Sequence, residues 1–252
     1  MTQPIQKLPE IEKGPAFSPE EFSAQAQRIG YDEKDLELDK SFGRENEPRC
    51  LMFIADTGLP DHVDIPKPLD AFNHSNDRDV RDLHNHSAWI NGKLTAFNND
   101  IGYQGIMPET TPVVIIKVLN NQGSGWDMAA GMKRALDYWT NHPKRISGEW
   151  VAAFYGMSYG GGGADSETSR LFEDMISENI IPAASSGNSG RNMPDYPAAY
   201  RSVFACGAYD KNREKASFTN YGPWTDFVAP GVNVPSTINQ REYAFWNGTS
   251  MS

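Results

Sequence analysis

Cys50-Leu-Met-Phe-Ile-Ala-Asp-Thr-Gly58 decides the fold class. Six apolar residues run without alternation and stop at Asp56 and the turn pair Thr57-Gly58. That length, continuity and polar stop predict a strand buried on both faces. Working outward, Pro112–Leu119 (PVVIIKVL), Trp150–Tyr155 (WVAAFY), Ile180–Ala184, Ser202–Ala208 and Phe227–Ala229 are further strand candidates, while Gly131–Trp139 and Leu171–Glu178 read as helices. Strands alternating with helices predict βαβ units: an α/β fold with a mostly parallel sheet and helices on both faces. Active residues of such sheets gather at the carboxyl ends of strands. Asp56, Ser158 and Asn188 all follow strand candidates there.

The division expected is a polar extension over 1–48, with one modest helical candidate near Pro19–Gly30, and an α/β domain over 49–252. The net charge of −10 argues against nucleic acid or an anionic membrane as partner. No apolar run approaches the roughly 20 residues of a membrane span. The opening MTQPIQKLPEIEKG lacks the apolar core of a signal peptide. Cys50 and Cys206 lie in apolar strand-like runs and read as buried free thiols. Together these features favour a reducing, cytoplasmic setting. Asn73-His-Ser75 and Asn247-Gly-Thr249 match the glycosylation pattern and read as chance matches in that setting.

Three constellations compete for the chemistry. Gly156-Met-Ser158-Tyr-Gly160 fits a nucleophile elbow, but that order needs a histidine after the serine. The five histidines are His62, His74, His84, His86 and His142, and none follows Ser158. Asp82-Leu-His84-Asn-His86 is a candidate metal pair, with only His142 downstream as a third ligand; a surface pair without a role is its bland alternative. The third constellation takes Asp56, His86 and Ser250, spaced by 30 and 164 residues. Gly248-Thr-Ser250 is a small-residue turn suited to a nucleophile at a helix N-terminus, where free N–H groups favour developing negative charge. Serine would attack, histidine take its proton, aspartate hold the imidazole, and an amide such as Asn188 donate to the oxyanion.

The blocks around these residues resemble the subtilisin-like serine proteases, or subtilases. Phe53–Gly58 is similar to the family's strand and catalytic aspartate. Asn247–Ser252 is similar to the nucleophile block, and Ala183-Ala-Ser-Ser-Gly-Asn188-Ser-Gly190 to the block carrying the oxyanion amide. Tyr196–Asp210 and Ala216–Gly231 follow in the same order, so the resemblance runs from about Arg49 to Ser252. It implies a three-layer subtilisin-like fold and a serine endopeptidase with Asp56, His86, Ser250 and Asn188 in the catalytic roles. It further implies an extended polypeptide substrate laid along Ser158, Tyr159, Gly160 and Gly161 and along Gly123, Ser124, Gly125 and Trp126. A structural Ca²⁺ is implied too, held by Asp64, Phe97, Asn99, Ile101 and Tyr103; a plain polar turn over Asn98–Gly102 is the alternative.

The histidine block departs from the family's His-Gly-Thr-His-Val-Ala-Gly, reading His86-Ser-Ala-Trp-Ile-Asn-Gly92. That leaves a non-catalytic scaffold or binding module open. Residues 1–20, with Pro4 and Pro9, resemble in length the extension that covers the site of intracellular members. The family's long helix after the nucleophile has only its first residues here, which implies either a separate C-terminal chain or a longer protein.

Overall fold

The computed structural model describes residues 12–19, 21, 49–99, 101–107, 110–239 and 241–252. The strand candidates read from the sequence map onto one sheet. β2 (Cys50–Asp56), β3 (Asp70–Asn73), β4 (Val113–Lys117), β5 (Ala152–Met157), β6 (Ile180–Ser185), β7 (Phe204–Tyr209) and β8 (Phe227–Pro230) form seven strands in the order β3-β4-β2-β5-β6-β7-β8. Every neighbouring pair is parallel. After β4 the chain crosses β2 to begin β5 on its other side. The carboxyl end of β2 is therefore a topological switch point, where a crevice opens between diverging connections. Asp56 is the last residue of that strand.

Alternating side chains of β2 divide between two helical layers. Leu51, Phe53 and Ala55 join the main core with α2 (Met128–Asn141) and α4 (Ser166–Ser177). Met132, Ala135 and Trp139 of α2, and Leu171, Phe172 and Met175 of α4, recur at helical spacing on the buried face. Asp127 and Asp165 cap these helices, accepting from Ala130 N and Thr168 N at 2.8 Å each. Between them lies the helical turn α3 (Pro143–Ile146). On the opposite face, Ile54, Val113 and Ile115 pack with Ile90 and Leu94 of α1 (His86–Thr95). Toward the β8 edge, Phe204 and Phe227 on that face are exposed and lie 5.7 Å apart.

Helix α1 has no apolar stripe, because it is enclosed on most sides. His86, Ser87, Ala88, Trp89, Asn91, Gly92 and Thr95 are all buried. Its outer flank meets a second, antiparallel sheet of β1 (Glu12–Phe17), β10 (Glu242–Asn247) and β9 (Val234–Asn239). Ser236 Oγ and Thr237 Oγ1 donate to the Trp89 and Ala88 carbonyls at 2.6 and 2.8 Å. A Cβ on Gly92 would stand 2.1 Å from Thr237 Oγ1, so only glycine permits this approach. Thus Glu12–Phe17, within the stretch read as a polar extension, is a strand of the sheet that packs on α1. Of the helical candidate near Pro19–Gly30, residues 20 and 22–30 lie outside the described residues. Cys50 and Cys206 are free thiols, half-buried rather than fully enclosed.

Candidate active site

Asp56 and His86 are both fully buried and meet at the switch point. His86 Nδ1 lies 2.8 and 2.9 Å from the two carboxylate oxygens of Asp56. A carboxylate only accepts, so the proton belongs on Nδ1 and the lone pair on Nε2. Nε2 is buried and has no hydrogen-bond partner among the described residues. The imidazole stacks at 20° on Trp246 of β10, which stacks in turn on Trp89. The Asp56 carboxylate also accepts from Thr57 N at 2.7 Å.

Asp82 organises the turn that delivers His86. Its Oδ1 accepts from His84 N, Asn85 N and Thr57 Oγ1 at 3.0, 2.9 and 2.9 Å, and its Oδ2 from Ala88 N at 2.8 Å. Thr57 Oγ1 also receives Ser87 N at 3.0 Å. One carboxylate thereby serves the N–H groups of His84 and Asn85 just ahead of α1 and of Ala88 in its first turn, and ties them to the end of β2 through Thr57. Burial, aided by the nearby Asp56 charge, pushes the Asp82 pKa up against these bonds. Beside Asp56 in the sheet, Lys117 is enclosed with all three ammonium protons placed: on Arg81 O (2.6 Å), Asn121 Oδ1 (2.9 Å) and Asp77 Oδ2 (2.9 Å). Neither Asp82 nor Lys117 stood out as a support in the sequence. The offset of Asp82 from His86 was the only signal.

Ser250 sits in the buried 3-10 turn Thr249–Met251, which packs against α1, β6 and β7. Its hydroxyl donates to Ser158 O at 3.0 Å rather than to His86 Nε2. Thr249 braces the neighbouring amide. Its N and Oγ1 donate to Asn188 Oδ1 at 2.8 and 2.7 Å, and Oγ1 accepts from Gly187 N at 3.1 Å. Because Thr249 N–H needs an acceptor, these bonds identify the oxygen end of the Asn188 amide and direct Nδ2 elsewhere.

The groove segments are separate pieces of chain. Ser158 follows β5, and its Oγ lies 3.4 Å from Ser250 O. Tyr159 has its ring buried in the main core, so only its backbone is available to a substrate. Gly160 is half-buried, and Gly161 N donates to Tyr196 O and Asp195 Oδ1 at 3.0 and 2.8 Å. Gly123, with φ +72°, and Ser124 turn back so that Gly125 bridges Leu119; Trp126 is exposed.

The rival readings separate in space. His84 precedes α1 beside His86, with ring centroids 6.2 Å apart. His142 instead stacks on Trp150, just before β5, at the other end of the sheet. No group of three or more His, Cys, Asp or Glu side chains able to hold a metal occurs among the described residues. Burial, with Lys13 and His86 nearby, lowers the His84 pKa to about 4. Lys13 of β1 reaches this corner too, lying 5.2 Å over the Trp246 ring.

The implied calcium set does not fit the ion as it stands. Calcium takes six to eight oxygen ligands. Asp64 is the single carboxylate of the set, and its oxygens accept from Asn99 Nδ2 (2.8 Å) and Tyr243 OH (2.9 Å). Asn99 thus presents its nitrogen to Asp64 and gives its oxygen to Ile101 N at 3.1 Å. The Tyr243 ring presses on Gly102, where an added Cβ would fall 2.0 Å from the ring. Phe97 N bonds Asp64 O at 3.0 Å, and Tyr103 is buried with its hydroxyl receiving Lys93 Nζ at 3.0 Å. Neutral donors occupy the carboxylate on which a cation would depend.

A family model described as the subtilase family matches residues 52–252. Alkaline elastase YaB of Bacillus sp. (strain YaB) and subtilisin Savinase of Lederbergia lenta are each 32% identical to the chain over 199 residues, 79% of its length. The thermophilic serine proteinase of Bacillus sp. (strain AK1) is 34% identical over 209 residues. The chain spans 50%, 70% and 48% of these three relatives.

Proposed function

Because the chain belongs to the subtilase family, we propose that it is a serine endopeptidase acting through Asp56, His86 and Ser250. The observation that carries this reading is the enclosed Asp56–His86 pair, which holds the proton on Nδ1 and leaves Nε2 without a partner among the described residues. Substrate binding turns the Ser250 hydroxyl from Ser158 O to His86 Nε2. His86 takes the hydroxyl proton as Oγ bonds to the substrate carbonyl carbon. Asp56 stabilises the imidazolium, while Asn188 Nδ2 and Ser250 N–H receive the oxyanion. His86 then gives its proton to the departing amine, leaving an acyl-enzyme. Water, deprotonated by His86, releases the acid and restores Ser250.

The test is a fluorophosphonate probe on the purified protein, read by mass spectrometry. Labelling is expected at Ser250 and absent in Ser250→Ala and His86→Ala. Folded protein that does not label would overturn the reading and favour the non-catalytic scaffold.

A further inference from the structure

Two glycine segments flank the catalytic turn, and one carboxylate stands between them. A Cβ on Gly187 would lie 2.7 Å from Asp195 Oδ2, and one on Gly160 would lie 3.4 Å from the same oxygen. Neither glycine has a side chain of its own there, and the Asn220 amide nitrogen packs on Gly187 beside the carboxylate. Asp195 is anchored there by Gly161 N, which donates to Oδ1 at 2.8 Å. It is half-buried, and no ion pair involving it occurs among the described residues; Arg191 acts on it only at a distance. Burial raises its pKa against the bonds from the Gly161 and Tyr196 backbone and the charge of Arg191.

Position ties this carboxylate to one substrate residue. Gly187 directly precedes Asn188, whose amide would hold the carbonyl under attack. The residue contributing that carbonyl (P1) therefore directs its side chain past Gly187 and Gly160. We propose that Asp195 closes the P1 pocket and selects lysine or arginine there. The inference rests on the endopeptidase reading for its orientation, but its binding consequence can be measured without turnover.

Peptides identical except for Arg, Lys, Phe or Leu at P1 are compared in two ways. As fluorogenic substrates of the full chain, Arg and Lys should exceed Phe and Leu in kcat/KM. Asp195→Asn keeps an oxygen for Gly161 N and removes the charge. It should lower kcat/KM for Arg and Lys by about 10–100-fold, the scale of a hydrogen bond to a charged group, and leave Phe and Leu within a few-fold. As product-like peptides ending at P1, the same four are titrated into Ser250→Ala by fluorescence anisotropy. Arg should bind about tenfold or more tighter than Phe, and Ser250→Ala/Asp195→Asn should lose that margin. Equal binding of Arg and Phe to Ser250→Ala, or a basic preference untouched by Asp195→Asn, overturns the proposal. Failure of fluorophosphonate labelling with the binding preference intact overturns only the hydrolytic reading.

Discussion

Thr249→Val isolates the brace behind Asn188. Valine has nearly the shape of threonine, and position 249 is 1% exposed, so the change removes two hydrogen bonds with little change of volume. The lost donor releases Asn188 Oδ1 from its 2.7 Å bond while the bond from Thr249 N at 2.8 Å stays. The lost acceptor strands the buried Gly187 N–H, which is 3.1 Å from Oγ1. A buried group left unpaired costs about 1–3 kcal/mol, and a net intramolecular bond contributes about 1. The expected destabilisation is therefore about 2–4 kcal/mol. Thr249→Ser keeps both bonds and loses one methyl, about 1 kcal/mol. Urea unfolding measures the pair, with equal m-values as the check that both variants unfold from the same state. With that anchor lost the Asn188 amide also swings more freely, so kcat should fall in Val but not in Ser, with KM steady. Equal stability and equal kcat in the two variants would refute the brace.

Asp82→Asn keeps one oxygen for Thr57, His84 and Asn85 but turns an NH₂ toward the buried Ala88 N–H; we expect a loss of about 1–3 kcal/mol and slower labelling of Ser250, and unchanged labelling would detach Asp82 from catalysis. His84 titrates near 6.5 when unfolded and near 4 when folded. The unfolded chain therefore holds more protons between those values, and stability is full above pH 6.5 and falls as pH drops toward 4. Allowing for partial exposure, the loss is about 2 kcal/mol; His84→Gln should flatten it, and superimposable pH curves would count against it. Chelator and millimolar calcium should give the same Tm, because Asp64 is already engaged by Tyr243 and Asn99. A calcium site held at 100 times its Kd would contribute about 2.7 kcal/mol, or about 5–10 °C in a domain of this size.

Reading strands from sequence works where burial is two-sided. Cys50–Ala55 and Pro112–Leu119 announce β2 and β4 because both faces of a central parallel strand need apolar side chains. Helices α2 and α4 show their single buried stripe. Helix α1 escapes the same reading although it carries His86, because a helix enclosed by sheet, hairpin and turn has no stripe to display. Strand β9 escapes for a related reason: Ser236 and Thr237 serve the carbonyls of α1 rather than an apolar period.

The order Asp56, His86, Asn188, Ser250, and the family it resembles, is written in the chain alone. Asp56 ends a strand, His86 starts a helix, Asn188 follows a strand and Ser250 sits in a short turn, each with small or polar neighbours legible one by one. What only the tertiary structure decides is which groups meet across long separations: Asp82 with Thr57, Thr249 with Asn188, Tyr243 with Asp64, and Asp195 with the two glycine segments. Those contacts depend on strand order and on backbones approaching within hydrogen-bond range. Sequence spacing carries neither, because a few ångströms of displacement separate a calcium ligand from a carboxylate held by tyrosine, and an open groove from an acidic pocket.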